Sequence, residues 1–229
     1  QKQANTKKLS KTQHEMFTGI VETQGTISKV QNDPDNFIVT INVKGTDFLS
    51  DCHVGDSISC CGICLTVIEF SNDSALQSAW FKVGISQETL RRTSIESMWK
   101  ENSKLNLERA MGMGNHRFGG HYVQGHVDTV ATVVEKIAEG DSINHGYQLR
   151  DKEYEEFIVE KGFITVDGAS LTVTKVEPEG KFWISMIKHT QEVLVPRNIG
   201  DQVNIEVDLT GKLIAKQVKL YMDKYTKKD

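Results

Sequence analysis

No uninterrupted apolar run in the chain approaches the ~18 residues that a membrane-spanning helix needs, which excludes a helical membrane protein. Neither sign of charge dominates. The formal net charge is −4, which argues against a protein built to hold nucleic acid phosphates. Aromatic residues are only 7%, whereas a single-strand binder wants stacking rings in a cationic groove. Cysteine is missing outside one window, since Cys52, Cys60, Cys61 and Cys64 lie within thirteen residues. A disulfide framework scatters its cysteines, and a zinc site draws ligand pairs from two segments; this chain does neither. The thiols read as reduced, with the cytoplasm as default location, and each has an ordinary role as a small buried hydrophobe.

What is present describes a globular chain of 229 residues, 38% hydrophobic and 25% charged. At roughly 150 residues per domain that length holds one or two. Residues 1–15 carry four lysines and no apolar run, and read as a polar extension or cloning remnant. Met16, just before a well-patterned strand, is expected to be the natural start.

The chain repeats itself, and a repeat decides the fold. At an offset of 106, Thr18-Gly-Ile-Val-Glu-Thr lies over Gln124-Gly-His-Val-Asp-Thr. At the same offset, Ile58-Ser-Cys-Cys-Gly-Ile-Cys-Leu-Thr-Val lies over Ile164-Thr-Val-Asp-Gly-Ala-Ser-Leu-Thr-Val. Further on the offset falls to 101, pairing Phe81 with Phe182 and Thr89 with Thr190, then to 98, pairing Asn106-Leu-Glu with Asn204-Ile-Glu. The first drop is expected to reflect a longer connection over Ser71–Trp80. Each copy shows short β-branched runs, such as Phe37–Val43 and Phe163–Val166, cut by glycine turns, with Asp167-Gly168 as a hairpin pair. Two small closed barrels are predicted. The spacing also predicts a helix over Tyr154–Lys161 stopped by Gly162, and another over Glu88–Trp99. After Gly211 the residues Leu213, Ile214, Val218, Tyr221, Met222 and Tyr225 recur at helical spacing. That stripe can pack on its own domain or form a subunit interface.

Positions that differ between the copies can divide labour. Ile20 is replaced by His126, Cys64 by Ser170, Ser57 by Phe163 and Gly55 by Lys161. A thiolate at Cys64 can add to an electron-poor carbon, and His126 can relay a proton near neutrality. Lys161, at the end of the predicted helix, also suits its dipole. His116, His121 and His126 are spaced by five, which puts them on no common face of a strand or helix and argues against a metal site.

Met16-Phe-Thr-Gly-Ile-Val-Glu, Gly55-Asp-Ser-Ile, Gly62-Ile-Cys-Leu-Thr-Val, Gly119-Gly-His-Tyr-Val-Gln-Gly-His-Val-Asp and Lys161-Gly-Phe-Ile, in that order, resemble riboflavin synthase, from Met16 to about Thr210. Met186-Ile-Lys-His-Thr-Gln is most similar to the fungal type. The resemblance implies an all-β fold with short helices: two tandem six-stranded Greek-key barrels, over 16–113 and 114–210, then a C-terminal helix over 211–229. It implies a transferase that joins two molecules of 6,7-dimethyl-8-ribityllumazine by moving a four-carbon unit. It also implies no metal or organic cofactor, no membrane or nucleic acid partner, and a homotrimer whose active site forms between barrels of different subunits.

By the same resemblance, the N-half pocket holds Gly19, Ile20 and Val21; Cys64, Leu65 and Thr66; and Gly84, Ile85, Ser86, Gln87, Glu88 and Thr89. The C-half pocket holds Gly125, His126 and Val127; Lys161; Ser170, Leu171 and Thr172; and Met186, Ile187, Lys188, His189, Thr190 and Gln191. Cys64 and Ser57 are expected to act on the acceptor, His126 and Ser170 to deprotonate the donor, and His121 to line the site. Cys61 departs from the family, which usually has asparagine before this glycine. The rival is a non-catalytic lumazine or flavin carrier on the same scaffold, which should lack the polar groups of one half; both halves here keep theirs.

Overall fold

The computed structural model describes residues 16–33, 36–73, 78–112 and 117–226. The expected extension over 1–15 and His116 lie outside them. The first barrel is built from β1 (Thr23–Asp33), β2 (Asn36–Lys44), β3 (Ser57–Cys60), β4 (Ile63–Asp73), β5 (Ser78–Ile85) and β6 (Lys104–Arg109). Its strands close in the Greek-key order β1-β2-β5-β4-β3-β6. The second uses β7 (Thr129–Glu139), β8 (Ser142–Leu149), β9 (Phe163–Val166), β10 (Ala169–Glu177), β11 (Lys181–Met186) and β12 (Gln202–Val207), closed in the equivalent order. Closure leaves no sheet edge to pair with another chain.

Period-2 patterning drives each strand. In β2 the side chains of Phe37, Val39, Ile41 and Val43 turn inward and alternate with more exposed neighbours. They meet Ile27, Ile58, Val67, Phe81, Val83 and Leu107 in one core. Val133, Tyr147, Ile164, Val173, Phe182, Ile184 and Ile205 fill the other. Each such aliphatic or phenyl side chain contributes about 1.5–3 kcal/mol by leaving water.

The 106-residue repeat extends to irregularities. Bulges fall at Ile27/Lys29 and Val133/Glu135, and again at Val67/Glu69 and Val173/Lys175. Equivalent residues also touch one another: Phe17 pairs with Val123, and Gly62 packs on Gly168. Such self-pairing places a pseudo-two-fold axis between the barrels.

The helices differ from expectation. Lys152–Phe157 is a 3-10 helix that ends before Ile158, so Tyr154–Lys161 forms no α-helix. Ile158 must leave the helical path to enter the core, where it is 5% exposed. Lys161 therefore sits at no helix terminus; it lies in a turn at φ +65°, over Gly55 at +101° in the first copy. The predicted Glu88–Trp99 helix is two, α1 (Gln87–Arg92) and α2 (Ile95–Met98), broken where Thr93 turns extended. The second copy has only α3 (Lys188–Val193) before β12, which accounts for the second change of offset. The first arises less in a connection than in longer strands, because β4 reaches Asp73 and β5 starts at Ser78; residues 74–77 lie outside the described ones. The tail is α4 (Leu209–Thr226), with Gly211 inside its first turn.

Candidate active site

Each barrel has a turn of two positive-φ residues, Cys61-Gly62 (+47°, +79°) and Asp167-Gly168 (+45°, +83°). That geometry closes a two-residue hairpin between β3 and β4 and between β9 and β10. Cys64, Leu65 and Thr66 open β4; Ser170, Leu171 and Thr172 open β10. Ser57 starts β3 opposite Thr66 and is buried, while its counterpart Phe163 is half exposed opposite Thr172. Gly84 and Ile85 end β5, Ser86 caps α1 by accepting from the Thr89 N–H, and Gln87 and Glu88 follow. Met186 ends β11, Ile187 precedes α3 with no capping side-chain bond, and Lys188, His189, Thr190 and Gln191 lie in the helix. There the Gln191 amide donates to the Met186 carbonyl at 2.8 Å.

The expected grouping by halves is corrected in one respect. Two glycine arms cross between barrels. Gly19, at φ +77°, lies on the second barrel: its carbonyl accepts from Ser170 N–H at 2.8 Å. A Cβ there would stand 2.6 Å from the Ser170 Cβ. Gly125, at φ +74°, lies on the first barrel: its carbonyl accepts from Cys64 N–H at 2.9 Å, and a Cβ would stand 2.6 Å from the Cys64 Cβ. Only glycine permits both the conformation and this approach. Ile20 and Val21 thus go with the Ser170 side, and His126 and Val127 with the Cys64 side.

The imidazole on Ser170 belongs to His121, not His126. Its Nδ1 is 2.7 Å from Ser170 Oγ and its Nε2 is 3.2 Å from Thr165 Oγ1. Phe163 stacks on the ring at 5.0 Å and 10°. Burial holds this imidazole below the usual histidine range, which favours the neutral ring that accepts a proton. His126 is exposed, with its backbone N–H held by Glu206 at 2.9 Å.

Two carboxylates that the sequence shows only as the ends of the repeated Asn106-Leu-Glu and Asn204-Ile-Glu hold the arms. Glu108 accepts from Thr18 N–H at 2.7 Å, Thr18 Oγ1 at 2.8 Å and Gly19 N–H at 3.0 Å. Glu206 accepts from Gln124 N–H at 2.7 Å as well as from His126. Burial pushes both carboxyls up to about 7, against the backbone N–H groups that favour their charge. Their only signal in the sequence is an acid retained by both copies amid inward apolar residues.

At the dyad, Asn106 and Asn204 donate to the carbonyls of Asp167 and Cys61, each at 2.9 Å. Arg197 Nε binds Asp167 at 2.7 Å, and its Nη2 reaches the Cys61 sulfur at 3.6 Å. None of the four cysteines is in a disulfide.

The family model of the lumazine binding domain matches residues 18–110 and again 124–208. Riboflavin synthase of Saccharomyces cerevisiae is 54% identical over 228 residues, covering 93% of this chain and 91% of that protein. Riboflavin synthase of Meyerozyma guilliermondii is 49% identical over 221 residues, covering 93% and 90%. Among solved structures, LumP complexed with 6,7-dimethyl-8-(1'-D-ribityl) lumazine superposes with a TM-score of 0.70 over 84% of this chain and 99% of that one. At 22% identity that likeness speaks for the fold alone. With the domain matched twice and half the residues shared with full-length fungal relatives, the chain belongs to the riboflavin synthase family.

Proposed function

We propose that this chain joins two molecules of 6,7-dimethyl-8-ribityllumazine, moving a four-carbon unit from donor to acceptor. The products are riboflavin and 5-amino-6-ribitylaminouracil. The observation that carries this reading is the pair of unlike half-sites in one chain of this family: Cys64 under the Gly125–His126 arm, and Ser170 under the Gly19 arm with His121. Like substrates suit like cavities, while unlike polar groups allow the two molecules different fates. Holding both rings in contact makes a bimolecular step effectively unimolecular.

The 7-methyl group of the donor is acidic because its anion delocalises into the pteridine, so the substrate itself carries the charge and the scheme needs no metal or organic cofactor. His121, accepting at Nδ1 from Ser170, makes the Ser170 oxygen a proton acceptor for that methyl group. On the other side Cys64 and Ser57 serve addition to the acceptor ring, with His126 moving the proton. The remaining pocket segments, Gly84–Thr89 and Met186–Gln191, offer backbone groups to the pyrimidine edge and hydroxyls to the ribityl chain.

Donor and acceptor sites meet between chains in this reading, in a homotrimer in the cytoplasm. Support for assembly comes from α4, where Leu213, Ile214, Val218, Tyr221, Met222 and Tyr225 are each at least half exposed. An exposed apolar stripe of this extent is the kind of surface that a protein interface covers.

The test is direct. Protein mixed with 6,7-dimethyl-8-ribityllumazine alone should yield riboflavin, one molecule for every two consumed. Tight binding without riboflavin absorbance would favour the carrier reading instead.

A further inference from the structure

The two buried carboxylates are arranged crosswise. Glu108 stands on β6 of the first barrel, yet the arm it grips, Thr18-Gly19, packs on Ser170 of the second. Glu206 stands on β12 of the second barrel and grips Gln124 to His126, the arm that packs on Cys64 of the first. We propose that Glu108 and Glu206 are positioning residues that each set the half-site of the opposite barrel. The proposal rests on the two half-sites described above.

Three features carry it. Both carboxylates are almost wholly enclosed, at 5% and 2% exposure. Both use their two oxygens: Glu108 Oε1 serves Thr18 and Oε2 serves Gly19, while Glu206 Oε1 serves Gln124 and Oε2 serves His126. A carboxylate can satisfy two such sets of donors, whereas the isosteric amide offers one acceptor and turns an NH2 against a backbone N–H. Finally, the arms have no slack. The Gly19 and Gly125 carbonyls are tied to Ser170 and Cys64 N–H, so a shift of either arm moves a wall of the opposite pocket.

Glu108→Gln and Glu206→Gln separate this role from a merely structural one. Bulk is kept while one acceptor facing the arm becomes a donor, so the arm loses its register, and the signal of the other half-site reports that the fold is kept. The probe is riboflavin labelled with carbon-13 at its 7-methyl group alone, titrated into the full-length protein and followed by NMR. Two bound signals are expected per chain, one shifted by Cys64→Ser and the other by Ser170→Ala. Glu206→Gln should weaken binding at the Cys64 signal about tenfold, the scale of a lost charged hydrogen bond, and leave the Ser170 signal within about twofold. Glu108→Gln should do the reverse. Thr18→Val, which removes one donor and leaves the carboxylate, should weaken only the Ser170 signal, about threefold. Weakening within the carboxylate's own barrel, equal weakening of both signals, or no weakening would overturn the crosswise role. If neither Cys64→Ser nor Ser170→Ala moved a bound signal, the half-sites themselves would fall, and the proposal with them.

Discussion

Glu108 and Glu206 bind a proton more tightly in the folded chain than in the unfolded one, at about 7 against an ordinary 4.5. Their share of stability is therefore complete below the unfolded value and is lost as pH rises toward and through 7. Grip on the arms has the opposite demand, because only the ionised carboxylate accepts from every donor. Glu22 beside Glu108 and Asp128 beside Glu206 push these groups further up, whereas Lys212 pulls Glu206 down. His121 and His145, held low by burial, work against the carboxylates: the unfolded chain takes their protons first, so they drain stability below the ordinary 6.5. Accordingly kcat/KM should fall as pH drops below about 7, and in Glu206→Gln that limb should flatten. Thermal midpoints should also show the wild type gaining more than Glu206→Gln between pH 7 and pH 5; an unchanged limb and parallel midpoints would contradict the assignment. The sequence exposed Cys64, Ser170 and both glycines, because the offset of 106 aligns equivalent residues. It hid the crossing, since alignment says which residues correspond and not which ones touch. His121 and Ser170 were both named from the sequence, but not their meeting across forty-nine positions.

The paired hairpin turns compare one geometry in two chemistries. Asp167 holds its positive φ while its carboxylate accepts from Asn204 N–H at 2.8 Å and from Arg197. Cys61 holds the same conformation with a weaker acceptor, its sulfur taking Asn106 N–H at 3.3 Å. Burial pushes the Cys61 thiol up to about 12, with Asp167 adding to that and Arg197 opposing it. It stays a neutral thiol. Asparagine tolerates the left-handed region better than cysteine and offers a stronger acceptor to Asn106. Cys61→Asn should therefore raise stability by about 0.5–1 kcal/mol in thermal or urea unfolding; a lowered midpoint would mean the pocket is too tight for the amide. Strands and turns such as Phe163–Val166 and Asp167-Gly168 were readable because period-2 patterning and glycine chemistry are local. The Tyr154–Lys161 segment was not. Its apolar spacing fits a helix, but Ile158 is drawn into the barrel core, and tertiary burial overrides local preference.

At the scale of the molecule, α4 is a long helix that its own chain covers only in part, with Ile214 and Val218 beside Phe157, Val159 and Phe163. Its first turn is anchored, with Lys212 Nζ 2.9 Å from Asp128 and Gly211 against Phe157, while the apolar stripe beyond stays exposed. In the trimeric reading the double variant Val218→Glu with Tyr221→Glu should reduce the mass seen by light scattering from three chains to one. Riboflavin formation should drop with it, because donor and acceptor would no longer meet. A trimer that survives the double substitution would exclude α4 as its core. The crossing arms have a separate consequence. Phe17 meeting Val123 and Gly62 meeting Gly168 reproduce, inside one polypeptide, the isologous contact that two identical protomers make. Because the segment after β6 tethers the halves, their mutual completion does not depend on dilution. Each repeat is thus the permanent partner that the other would otherwise have to find in solution.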